Sequence, residues 1–155
     1  LKTSGGGRDT TGQNLWQIHG SKRVYLYPPE APFLRDDELS DVTLYHNEVG
    51  ITYERWYDEH ARQFNLRPGT MVHWPLNAPH RIENGDDLSV SLTTEYYTWD
   101  IRKHTINVGA AGLLRPRIDP NWVPFPLKAA MLLAATRTGL LNRRRSERRP
   151  VTFEL

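Results

Sequence analysis

Between residues 14 and 97 the apolar positions fall in short runs, several with a period of two, and turn-forming residues separate the runs. Leu15-Trp-Gln-Ile18 and Arg23-Val-Tyr-Leu-Tyr27 flank His19-Gly20-Ser21 and stop at Pro28-Pro29, a pattern that predicts a β-hairpin. Gln63–Leu66 and Met71–Trp74 flank a turn at Arg67-Pro68-Gly69, and His80–Glu83 resumes after a break from Pro75 to Pro79. A turn at Asn84-Gly85-Asp86 leads into Leu88–Tyr97, where apolar and small polar residues alternate as in a strand with one buried face. About six strands with no long helix between them predict a mainly β fold, an antiparallel barrel or jelly roll, and exclude a parallel α/β sheet.

The rest of the chain lacks that alternation. Residues 30 to 61 are mixed, with a short helix predicted near Asp36 to Leu39 and an ambiguous stretch from Tyr53 to Ala61. Beyond Trp99, Gly109 to Gly112 and Pro116, Pro120, Pro124 and Pro126 predict an irregular wrapping segment. A helix over Leu127–Leu141 follows, opened by Pro126. Its apolar positions run nearly all round between Ala129 and Ala135, which predicts burial against the barrel or against a second copy in a homodimer. The expected divisions are a barrel over 1–100, the wrapping segment and helix over 101–142, and a basic tail over 143–155.

Composition narrows the chemistry. The 155 residues include no cysteine, so a disulfide framework, a thiolate nucleophile and a Cys-rich metal site are excluded, and any metal falls to His, Asp or Glu. No stretch approaches the roughly 18–20 apolar residues that span a bilayer, and no basic-then-apolar signal opens the chain, so a cytoplasmic protein without membrane contact is expected. The net charge is +2, but six of the 20 basic residues and two of the 18 acidic ones lie from Arg137 onward, leaving 14 against 16 before it. A basic excess confined to a tail reads as a solvated tail rather than a nucleic-acid surface.

Two segments carry candidate chemistry. Gln17-Ile-His-Gly-Ser-Lys-Arg-Val-Tyr-Leu-Tyr-Pro-Pro29 holds Lys22, which in a barrel mouth would bind a carboxylate. Leu66-Arg-Pro-Gly-Thr-Met-Val-His-Trp-Pro-Leu-Asn-Ala-Pro-His-Arg-Ile-Glu-Asn-Gly-Asp86 holds His73 and His80, and the proline before His80 would aim that side chain into the mouth.

Together these segments resemble the cupin-like JmjC family of iron(II)- and 2-oxoglutarate-dependent dioxygenases, with the likeness running from about Gly7 to Tyr97. The resemblance implies a double-stranded β-helix with a C-terminal helical extension. It also implies Fe(II) held by two His and one carboxylate, the first two ligands arriving as His-x-Asp, with three positions left for 2-oxoglutarate and oxygen. His80 falls on the second histidine. Counting back without gaps from the first segment places Gly7-Arg8-Asp9 on His-x-Asp, so Asp9 matches while glycine stands where the first histidine belongs, and no His precedes His19. The implied metal ligands are therefore Asp9 and His80, with the third left to His73 or another residue; His19 sits at the predicted hairpin turn.

Lys22 falls on the family lysine that pairs with the distal carboxylate of 2-oxoglutarate, and Gln13 or Asn14 falls near the polar residue that helps hold it. Tyr25, Tyr27 and Trp74 are expected in the wall. Trp56, Tyr53 and Tyr57 lie in the largest insertion between strands, where substrate contacts or a packing lid are expected. Two functions follow from the resemblance: an oxygenase acting on a small molecule or a protein side chain with an incomplete triad, or a non-catalytic cupin-like binding or scaffold protein that has lost iron binding. In this family another strand precedes the His-x-Asp strand, so the barrel is expected to be incomplete at its N-terminal side.

Overall fold

A computed structural model describes residues 12–45, 51–115 and 117–141. Six strands form two antiparallel three-stranded sheets. One sheet has the order β4-β1-β6, made of β1 (Gly12–His19), β4 (Met71–Trp74) and β6 (Val90–Tyr96). The other has the order β3-β2-β5, made of β2 (Lys22–Leu26), β3 (Arg62–Leu66) and β5 (His80–Asn84).

The strands lie where the alternation predicts them, but their pairing does not follow the chain. β1 and β2 do not form the predicted hairpin: β1 pairs with β4 and β6, whereas β2 pairs with β3 and β5. The chain turns a corner between sheets at Gly20, whose φ is +70°. A Cβ at Gly20 would stand 2.3 Å from the Leu88 carbonyl oxygen, so the backbone conformation and the close approach both demand glycine. A second change of sheet occurs between β3 and β4, around the Pro68-Gly69 turn.

The two sheets face each other across one apolar core. Leu15, Val72 and Trp74 come from the β4-β1-β6 sheet, and Val24, Leu26 and Leu66 from the other, with Ala78 in the turn before β5. Burying each of these larger side chains contributes roughly 1.5–3 kcal/mol. A second cluster, Tyr25, Tyr27, Phe33 and Tyr57, lies on the opposite face of the β3-β2-β5 sheet, because neighbouring residues of a strand point to opposite faces.

Helices occupy about 40% of the described residues and strands 27%, so the expectation of a mainly β protein is corrected to two small antiparallel sheets with a substantial helical part. The helix α1 (Asp36–Tyr45) extends the short prediction, and the Glu38 carboxylate accepts from Arg35 N–H, closing its first turn. The larger correction is α2 (Trp99–Leu114), which stands where an irregular segment was expected. Thr98 caps it through its hydroxyl, which accepts from Ile101 N–H at 3.2 Å. Gly112, which read as a breaker, is a contact position: a Cβ there would lie 2.7 Å from Ser40 Cβ and 2.9 Å from a Leu44 methyl, so its absence lets α1 lie close against α2.

The helix α3 (Phe125–Arg137) begins and ends a few residues earlier than the predicted helix over Leu127–Leu141. It rests on α2, with Leu132 beside Gly109, and Ala135 is its only buried residue. Burial against the barrel is not what the described residues show: α3 packs on α2, and Leu127 and Leu133 are more than half exposed. No described helix is long and apolar enough to cross a membrane.

Candidate functional site

Alternation sorts the sequence-predicted residues onto faces. On β2, Val24 and Leu26 enter the core, and Lys22, two residues before Val24, shares their face. Lys22 is opposite Leu66 on one side and Asn84 on the other, while His80 is opposite Leu26 at the far end of the same strand pair. Four residue steps along the strand separate these two positions, about 13 Å along the backbone.

His80 is buried, and its ring packs at 4.7 Å from the ring of Trp74. Its Nδ1 lies 3.2 Å from the Ala78 carbonyl, which can only accept, so Nδ1 carries the proton in the neutral ring. Burial holds its pKa below the usual histidine value, favouring that neutral form, and no described residue bonds Nε2. A buried imidazole with one nitrogen oriented by a carbonyl and a lone pair on the other has the form of a metal ligand.

Lys22 is half-buried, and desolvation lowers its pKa. No hydrogen bond or ion pair joins its ammonium to a described residue. It lines a cavity of about 370 Å³ at the end of the β3-β2-β5 sheet, with Ser21, Asn65, Arg67 and Asn84 among its walls. Arg67 and Asn84, which the sequence reading did not single out, add a cation and an amide to this cavity, which Arg23 and the Glu83 carboxylate also line; the Pro68-Gly69 turn after Arg67 was the available signal.

Gln13 and Asn14 part company. Gln13 is opposite buried Trp74, so it points to the core side, where its amide donates to Glu95 at 3.0 Å. Asn14 is opposite His73 on the outer face, where it donates to Thr94 Oγ1 at 3.2 Å, and it does not face Lys22. His73 lies on that outer face as well: its Nδ1 donates to the Gln13 carbonyl at 2.9 Å and its ring stacks near Tyr96. It is therefore turned away from His80 and cannot complete a site there. His19 is exposed at the end of β1.

Asp9 and Gly7 lie outside the described residues, as does the basic tail over 143–155. Among the described residues no three His, Asp or Glu side chains gather where a metal could be held. Among the described residues the donor set of a three-ligand iron site is not met: His80 is buried and neutral, no second described imidazole joins it, and position 7 is glycine.

The aromatic insertion is on the far side of the sheet from Lys22 and His80. Tyr57 donates to the Pro32 carbonyl at 3.0 Å, Tyr27 donates to Asp58 at 2.6 Å, and Trp56 and Phe33 pack with Tyr57. Burial, then the bond to Asp58, pushes the Tyr27 phenol up, so it stays a donor. Arg81, also missed in the sequence, is the centre of this cluster. Its guanidinium lies 3.8 Å from the Tyr25 ring centroid and donates to Asp58 at 2.6 Å and to Glu83. Burial opposes that charge, but the bonds to Glu83 and Tyr27 keep its pKa raised. This cluster reads as the packing lid rather than as a wall of the Lys22–His80 face.

Compared with models of known protein families and with curated proteins, the chain matches none.

Proposed function

We propose that this chain is a cupin-like module, built as a double-stranded β-helix of the JmjC type, that binds a small dicarboxylate such as 2-oxoglutarate on Lys22 without completing a three-ligand iron centre. The observation that carries the reading is the half-buried Lys22 ammonium, with no partner among the described residues, beside a cavity whose wall also holds Arg67. A desolvated cation that makes no ion pair with a described residue favours an incoming carboxylate, while the Glu83 carboxylate of the same wall is bonded to Arg81, and a charge-assisted hydrogen bond contributes about 1.5–3 kcal/mol. Two antiparallel sheets between which the chain repeatedly crosses support the jelly-roll assignment.

Calorimetric titration with 2-oxoglutarate tests it. Lys22→Met should weaken binding about 10- to 100-fold with an unchanged melting temperature. Equal affinity in the variant would sink the proposal.

The second reading, an Fe(II)/2-oxoglutarate oxygenase acting on a small molecule or protein side chain with Asp9 and His80 as ligands, is favoured by the free Nε2 of buried His80. Anaerobic Fe(II) titration with 2-oxoglutarate separates the two: a visible charge-transfer band and oxygen-dependent loss of 2-oxoglutarate support the oxygenase, and neither should appear for the binding module. The exposed apolar side of α3 supports pairing with a second copy, and sedimentation that returns only monomer at high concentration would refute that pairing.

A further inference from the structure

A second pocket, open to solvent, lies away from the core between the sheets and is lined by α1, α2, the short turn at Pro120–Trp122 and the start of α3. Its volume is about 390 Å³, within the range of small-molecule sites. α2 contributes His104, Asn107 and Ala111, a spacing that keeps all three on one side of the helix, and Arg115 follows directly after its last residue.

The wall is rich in donors. Lys128 Nζ donates to Asn107 Oδ1 at 3.0 Å, which uses the amide oxygen of Asn107 and leaves its amino group turned to no described acceptor. An ammonium has three protons, so Lys128 retains two, and no carboxylate lies within ion-pair distance of it among the described residues. Arg115 donates to Asp36 Oδ2 at 2.8 Å, which occupies the one carboxylate of the wall. Two cations against one carboxylate leave the pocket with a formal excess of one positive charge.

We propose that this pocket binds a small organic anion, whose carboxylate or phosphate group sits on Lys128 Nζ and the amino group of Asn107. Such a ligand lies beside a direct connection to His80. Asn77 Nδ2 donates to His104 Nε2 at 2.7 Å, and Asn77 is buried at a φ of +64° in the turn before β5. The next residue, Ala78, accepts the Nδ1 proton of His80. A ligand that moves His104 therefore displaces the turn that orients His80.

Amide and side-chain NMR of the whole ¹⁵N-labelled chain, titrated at constant ionic strength with succinate and separately with inorganic phosphate, tests the site. Saturable shifts are expected at Lys128, the Asn107 side-chain amide and Asn77, and the probe that saturates tells whether carboxylate or phosphate is preferred. Lys128→Met should weaken binding about tenfold or more, and Lys128→Arg should retain it. Lys22→Met should leave these shifts unchanged, which keeps this site separate from the cavity at Lys22. Absence of saturable shifts with both probes, equal binding by Lys128→Met, or loss of the shifts in Lys22→Met would overturn the proposal; saturation that leaves Asn77 unmoved would overturn the connection to His80.

Discussion

Replacing Arg81 by methionine keeps most of the buried stem and removes the guanidinium, so it isolates the polar part of the aromatic lid. The side chain is only 7% exposed, whereas its partners Asp58 and Glu83 are 30% and 29% exposed and recover some hydration when the cation is lost. Asp58 also keeps its bond from Tyr27. Each carboxylate contact is thus worth about 1 kcal/mol rather than the several expected of a fully buried pair, and stacking on Tyr25 adds roughly 0.5–1 kcal/mol. The expected loss is about 2–3 kcal/mol. For a domain of this size that lowers the melting temperature by roughly 5–10 °C. Urea unfolding followed by far-ultraviolet dichroism gives the free energy, and near-ultraviolet dichroism of the tyrosines reports whether the lid stays packed. A loss below about 0.5 kcal/mol would refute the reasoning, because it would mean that solvation alone replaces the whole network. A double-mutant cycle with Asp58→Asn should return a coupling of about 1 kcal/mol.

Three further outcomes follow from the geometry. Gly20→Ala should cost at least about 2 kcal/mol in urea unfolding, from the left-handed backbone and the collision with the Leu88 carbonyl, and a cost under about 0.5 kcal/mol would show that the corner relaxes freely. Gly112→Val should push α1 from α2 and lower stability by about 1–3 kcal/mol while helical dichroism persists; unchanged stability would refute the close approach. The bond from Arg81, followed by that from Tyr25, holds the Glu83 carboxyl below its usual 4.5, so its stabilisation is full above pH 4.5 and fades as pH falls through the lowered value. Glu83→Gln should therefore flatten the decline in stability on acidification below that point, and parallel pH profiles for variant and parent would contradict this.

Strand positions were legible because short apolar runs bounded by turn residues mark strands whichever partner they take; the faces were less so, since in Leu15-Trp-Gln-Ile18 the buried side carries Leu15 and Gln17 while Trp16 and Ile18 are exposed. Pairing was not legible, because the local pattern of β1 is the same whether its neighbour is β2 or β4 and β6. The hairpin expectation failed on that point, and the positive φ of Gly20 turns the chain to the second sheet instead. α2 was missed for a related reason. Gly109 and Gly112 lower helix propensity locally, but their value lies in contact with Leu132, Ser40 and Leu44, which are remote in sequence.

For the candidate site, the sequence by itself determined which residue types are present: Lys22 and His80 on strand-length segments, no cysteine, and no histidine before His19. The tertiary structure decided which of them share a face. It set Lys22 and His80 on one side of the β3-β2-β5 sheet, turned Asn14 and His73 outward, and placed the Tyr53–Tyr57 insertion behind the sheet around Arg81. The physical reason is that the chemical identity of a side chain is local, whereas its burial, its partners and its direction depend on strands that the chain brings together only when it folds.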